Sequence, residues 1–189
     1  LIRLFDRSEF LAESVIRTPD LVDELVLSDR LRRGKTADEV LTDLRYGLAD
    51  ADQRLWLRRY HHAEFMRIGL RDILDLADIE KVPAELSALA DACLQYALEV
   101  TLRKHSLRTA PSVIIFLGKL GGREFDYGSG LDIIFGAEGG SEDGPPYRQP
   151  RPADYLSGVL TVIAPLVNDV RQPGPYNSCR NADQREEER

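Results

Sequence analysis

Between Phe116 and Gly136 the chain reads FLGKLGGREFDYGSGLDIIFG, and these residue types are those of phosphate and metal chemistry. Gly118, Gly121, Gly122, Gly128 and Gly130 leave backbone N–H groups open to an anion. A phosphate site would also need hydroxyls on the phosphates. Asp132 lies just inside the second apolar run, where a carboxylate can face a divalent metal. Two carboxylates at i and i+2 of one strand point to the same side, so an Asp-x-Asp pair grips metal naturally. The same glycines also serve a plainer purpose, the tight turns of a hairpin. Neither standard phosphate-loop pattern, G-x-x-x-x-G-K-[ST] or G-x-G-x-x-G, is present. On residue types alone both readings stand.

The loop needs elements to hold it. SVIIFLG, after Ala110-Pro111, and LDIIFG are short, continuous, β-branched apolar runs and predict two buried strands. Everything before them, to about residue 108, reads as helix. RSEFLAESVIRTPDLVDELV carries Phe10, Leu11, Ser14, Val15 and then Leu21, Val22, Leu25, Val26 at helical spacing. Thr18 is read there as an N-cap with Pro19 in the first helical position. Thr36 and Glu39 form the pattern of a capping box before the next helix. In DADQRLWLRRYHHAEFMRIGLRDILDLA, the longest periodic segment, Leu55, Trp56, Tyr60, Ala63, Met66 and Ile68 predict one buried stripe. PAELSALADACLQYALEVTLRKH starts at a proline and ends in a basic turn that suits the helix dipole. After the second strand, GAEGGSEDGPPYRQPRP reads as an exposed, mobile loop. ADYLSGVLTVIAPLVNDV returns to helix, kinked or ended at Pro165. The fold class is α+β, mostly α: a helical domain over 1–109, an incomplete α/β core over 110–178, and a polar, disordered tail over 179–189.

Bulk properties narrow the function. The 189 residues carry a formal net charge of -7, which argues against a nucleic-acid footprint, since that needs a basic surface. Cys93 and Cys179 have no metal-ligand spacing, and Cys93 reads as a core residue. No run of ~18 apolar residues exists to cross a membrane, and nothing resembles a signal peptide, so a cytoplasmic location is expected. The chain begins at Leu1, as an excised piece of something longer does.

GKLGGREFDYGSGLDIIF resembles the signature of the adenylyltransferase family that modifies glutamine synthetase, within the DNA-polymerase-β-like nucleotidyltransferase superfamily. That signature runs Gly-Lys-Leu-Gly-Gly-x-Glu, a linker, then Gly-Ser-Asp-x-Asp-[Leu/Ile]-[Ile/Val]-Phe. FDRSEFLAESVIRTPDLVDELV, RRYHHAEFMRIGLRDIL and LSALADACLQYALEV are similar to segments that precede it in the family, in the same order, so the resemblance covers residues 1 to 136. It implies a polymerase-β-like core, ATP as substrate, Mg²⁺ as cofactor, and glutamine synthetase as partner, with a PII-type signalling protein as a second one. The implied reaction moves AMP from ATP to a tyrosine of glutamine synthetase in control of nitrogen assimilation, or removes it by phosphorolysis. Gly118, Lys119, Gly121, Gly122, Arg123, Gly128 and Ser129 take the nucleotide-binding positions, and Asp132 the second, metal-holding and catalytic carboxylate.

The chain departs from that signature at two places. Residue 130, where the first carboxylate belongs, is Gly130. The family's third carboxylate lies on a strand reading Val-Asp-x-Arg-Leu-Arg-Pro, and no such string occurs. Asp169 and Asp183 stand in the wrong patterns. Asp126 and Glu124 are the possible substitutes, if the loop brings an oxygen within about 2.1 Å of Mg²⁺. The alternative function is therefore a catalytically degenerate homologue that binds or regulates a protein partner. Elsewhere, His61-His62 with Glu64 is read as ordinary helix, because neighbouring side chains diverge by about 100°. Arg67, Arg71 and Asp72 match a family string but are read first as interhelical ion pairs.

Overall fold

Local side-chain chemistry sets most of the helix starts. In the computed structural model, which describes residues 8–28, 30–106, 112–127, 129–137 and 157–163, Ser8 Oγ accepts from the Leu11 N–H at 3.1 Å and opens α1 (Glu9–Arg17). Thr36 and Glu39 form the expected capping box, with both reciprocal bonds made, ahead of α3 (Ala37–Arg45). A 3₁₀ turn (Tyr46–Ala49) follows. Asp52 then caps α4 (Gln53–Ile73) by accepting from the Leu55 N–H at 3.0 Å. α5 (Lys81–Lys104) has Pro83 in its first turn, where no N–H is needed, and Arg103 and Lys104 in its last.

Thr18 behaves differently from the sequence expectation. It precedes α2 (Pro19–Leu27), but its side chain makes no N-cap bond. The hydroxyl donates back to the Ser14 carbonyl at 2.8 Å, so Thr18 closes α1 instead of opening α2. Val26 is also out of place in its expected stripe, being 59% exposed.

α4 sits in the middle of the helical part and is buried on two sides, not along one stripe. Leu57 and Ile68 join a large cluster with Val40 and Leu44 of α3 and Leu86, Leu94 and Tyr96 of α5. Met66, Leu70 and Ile73 face a second cluster with Leu11, Val15 and Leu25 of α1 and α2. Gly69 lets α1 approach closely, since a Cβ there would lie 2.8 Å from Leu11 Cδ1. Leu55, expected in the stripe, is 42% exposed at the free N-terminal end of α4.

Charged residues are buried on α4 as well. Arg67, 1% exposed, donates to Glu64 at 2.7 Å, to Glu85 of α5 at 2.8 Å and to the Arg33 carbonyl at 3.1 Å. Arg71 donates to Glu85 at 3.1 Å and to the Leu31 carbonyl. Lys35 reaches Glu64 at 2.6 Å and Asp43 at 2.9 Å. The pairs thus tie the segment before α3 to α4 and α5, the interhelical role read for Arg67 and Arg71. Burial opposes the Arg67 charge, yet Glu64 and Glu85 hold its pKa above the ordinary value.

β1 (Ser112–Phe116) and β2 (Ile133–Ala137) pair antiparallel, with Ile114 opposite Phe135 and Phe116 opposite Ile133. The strands form where expected but are not buried on both faces. Val113, Ile115 and Ile134 are 54%, 46% and 49% exposed, because among the described residues no layer covers that side of the sheet. Their connection is no tight hairpin. It opens with a helical turn, α6 (Gly118–Gly121), and sends Leu120, Phe125 and Tyr127 into the large cluster. A further helical stretch over 157–163, α7, adds Val159, Val162 and Ile163 to the same cluster. Pro165, the acidic loop and the polar tail lie outside the described residues. Among the described residues no helix is long and apolar enough to cross a membrane.

Candidate functional site

The loop from Leu117 to Asp132 is closed at its ends and held to the helices by its middle. At the ends, the Leu117 N–H donates to the Asp132 carbonyl at 2.9 Å, which carries the strand pairing one step further. In the middle, the Phe125 N–H donates to Ser87 Oγ of α5 at 3.3 Å. The Tyr127 hydroxyl donates to Asp72 of α4 at 3.1 Å, and its ring meets Phe65 edge-on at 5.3 Å. A glycine-rich loop is thereby fixed by two aromatic anchors, which removes much of the freedom its composition would allow.

Those constraints bring Gly118 and Asp132 together. Gly118 has φ +55, a left-handed conformation suited to glycine, and a Cβ on it would lie 2.9 Å from Asp132 Oδ2. The carboxylate therefore hangs directly over the first turn of α6. Gly121 is needed for a different reason, since a Cβ there would come within 2.6 Å of the Phe116 carbonyl oxygen. Gly122 ends the turn. Gly130 is exposed, and a Cβ on it would meet nothing within 4 Å, so the position is open space.

The remaining candidate residues form a second group. Lys119 Nζ pairs with Asp126 Oδ2, and the buried Ser129 hydroxyl donates to Asp126 Oδ1 at 2.6 Å. Backbone bonds close the turn, the Asp126 N–H to Ser129 Oγ and the Ser129 N–H to the Asp126 carbonyl. Arg123 sits at φ 59 beside Asp91 of α5, where burial raises the Asp91 pKa and the arginine charge opposes the rise. Gly128 lies outside the described residues.

The metal-holding part of the expectation fares worse. Among the described residues no three His, Cys, Asp or Glu side chains gather into a set able to hold a metal ion. Asp126 is engaged by Lys119 and Ser129, and residue 130 has no carboxylate. Asp132 lies over the start of the glycine turn and Glu124 near Gly122 at its end, so among the described residues the donors do not fit a two-metal cradle. His61 and His62 are no substitute. Burial pushes His61 down to about 4, helped by His62, and its ring packs against Phe65 at 5.8 Å. Cys93 is buried, and its thiol is pushed up by burial, as a core cysteine's is. Sequence reasoning passed over Asp72, Ser87 and Tyr127 as anchors of the loop. An aromatic between glycines was the available signal for Tyr127; nothing in the sequence pointed to its partners.

A family model for glutamate-ammonia ligase adenylyltransferase matches residues 1–150. The chain is 35% identical over 140 residues to a bifunctional glutamine synthetase adenylyltransferase/adenylyl-removing enzyme of Aromatoleum aromaticum, covering 70% of the chain and 15% of that protein. A Burkholderia mallei protein of the same description is 39% identical over 128 residues, 64% of the chain and 14% of its own length. One from Neisseria meningitidis serogroup A is 31% identical over 143 residues, 71% of the chain and 16% of its own length. The chain thus spans about 15% of the length of the curated relatives it matches.

Proposed function

The chain belongs to the glutamate-ammonia ligase adenylyltransferase family, and on that premise we propose that it presents the triphosphate-binding loop of a polymerase-β-like nucleotidyltransferase on a helical platform. In the longer protein, the loop serves movement of AMP between ATP and a tyrosine of glutamine synthetase, by transfer or by phosphorolytic removal, in the cytoplasm. A PII-type signalling protein is the expected regulator. One observation supports this reading most: the Asp132 carboxylate is held over the left-handed Gly118 turn, with Lys119 and Ser129 on the same loop. Lys119 would take the triphosphate, and Ser129 would add a hydroxyl contact, whereas the N–H groups of Gly121, Gly122 and Arg123 are already used inside the loop. Among the described residues the donors do not fit the Mg²⁺ expected beside ATP.

A second reading, a catalytically degenerate homologue that binds a protein partner, is favoured by Gly130. Restoring a carboxylate there is sterically free, which makes the two readings separable. The chain and its Gly130→Asp variant are incubated with unmodified glutamine synthetase and ATP labelled at the α-phosphate. Tyrosine labelling raised by the variant supports the transferase reading. Capture of glutamine synthetase without labelling by either supports the binding reading. Absence of both capture and labelling refutes the two together.

A further inference from the structure

We propose that Asp126 is a built-in stand-in for phosphate, an autoinhibitory contact that fills the anion position of the loop until a phosphate chain displaces it. The inference rests on the reading of the loop as a triphosphate site. Its basis is the pairing of donors. A phosphate group settling on this loop would seek the Lys119 ammonium and the Ser129 hydroxyl. Asp126 takes both at once: Oδ2 is on Lys119 Nζ, and Oδ1 accepts from Ser129 Oγ at 2.6 Å. Two carboxylate oxygens bridging a cation and a hydroxyl reproduce the contacts of two phosphate oxygens. The backbone supports the bridge, because the Asp126–Ser129 turn is closed by N–H bonds in both directions.

The position of the bridge makes it releasable. The Lys119 and Asp126 side chains are 59% and 48% exposed, so the pair is screened by water and weak. Ser129, in contrast, is buried at 7% exposure, with its hydroxyl on Asp126 Oδ1. A multiply charged phosphate chain would outcompete a single carboxylate for Lys119, and the freed Asp126 would swing into solvent.

The test is calorimetric titration of inorganic tripolyphosphate into the whole chain at low ionic strength without added metal. It compares the native chain with Asp126→Asn, which keeps the shape and the hydrogen-bond acceptor, and with Asp126→Asn/Lys119→Gln. Matching thermal unfolding midpoints verify that all three fold. Asp126→Asn is expected to bind about two- to fivefold tighter, from the weakness of an exposed pair, and the double variant to lose that gain. Equal or weaker binding by Asp126→Asn overturns the stand-in while leaving the phosphate loop intact. No binding by any of the three overturns the loop reading and the stand-in with it. A repeat with ATP separates the sources of the phosphate chain. The same gain supports a nucleotide ligand, whereas a gain confined to tripolyphosphate upholds the stand-in and counts against the nucleotide.

Discussion

Replacing Arg67 by Met should unfold the helical platform sooner than any single apolar truncation at its edge. Arg67 is 1% exposed and makes bonds to Glu64, to Glu85 and to the Arg33 carbonyl. Breaking a buried pair by removing one partner costs about 3–5 kcal/mol, because the other charge stays behind in a poor solvent. Here the abandoned groups keep some company: Glu64 retains Lys35 at 2.6 Å, and Glu85 retains Arg71 at 3.1 Å. The loss therefore belongs at the low end, about 3 kcal/mol, with methionine filling much of the vacated space. For a urea m-value of about 2 kcal/mol/M, the midpoint falls by roughly 1.5 M. Arg67→Lys should fall between the two, since one ammonium does not reproduce the planar fork that reaches three acceptors. Urea denaturation followed by circular dichroism reads the shift. A change under about 0.5 M for Arg67→Met, at this m-value, would refute the reasoning and mean that water enters the network.

Burial lowers the folded pKa of His61 from 6.5 to about 4, so the unfolded chain binds the extra proton between those values. The stability this residue permits is complete above pH 6.5 and falls as pH drops toward 4; His61→Phe should recover about 1–3 kcal/mol at the acid end, measured by urea titration at several pH values. Tyr127→Phe should lose about 0.5–1.5 kcal/mol with the bond to Asp72. Tyr96→Phe should lose nothing, because its buried hydroxyl finds no partner among the described residues; thermal melts compare the two. Gly118→Ala should cost about 1–2 kcal/mol for its left-handed backbone. It should also push Asp132 aside, and thermal melts read the cost.

Much of the fold was legible in the sequence, and the failures share a cause. Caps and strands are local: Thr36 with Glu39 is a four-residue pattern, and SVIIF needs only its own composition. Burial on a central helix is not local. Met66 and Ile68 both go inside, but into different clusters, because α4 has neighbours on two sides that periodicity does not register. Leu55, expected in the same stripe, lies outside. The buried charges show this most clearly. Arg67 and Arg71 were readable as ion-pair residues, but Glu85 lies 18 and 14 positions away from them and Lys35 lies 29 from Glu64. At the loop, the glycines and Asp132 stood out by type and spacing. The clamp of Lys119 and Ser129 on Asp126 depends on how the loop turns back, which Phe125 and Tyr127 decide by burying themselves.

We propose that the loop is a phosphate site whose metal-holding half is missing among the described residues. ATP affinity measured by calorimetry with and without Mg²⁺, on the native chain and on Gly130→Asp, tests it most directly. Weak binding by the native chain with little dependence on Mg²⁺ is expected, and a clear Mg²⁺-dependent gain once residue 130 carries a carboxylate. Tight, strongly Mg²⁺-dependent ATP binding by the native chain would contradict it.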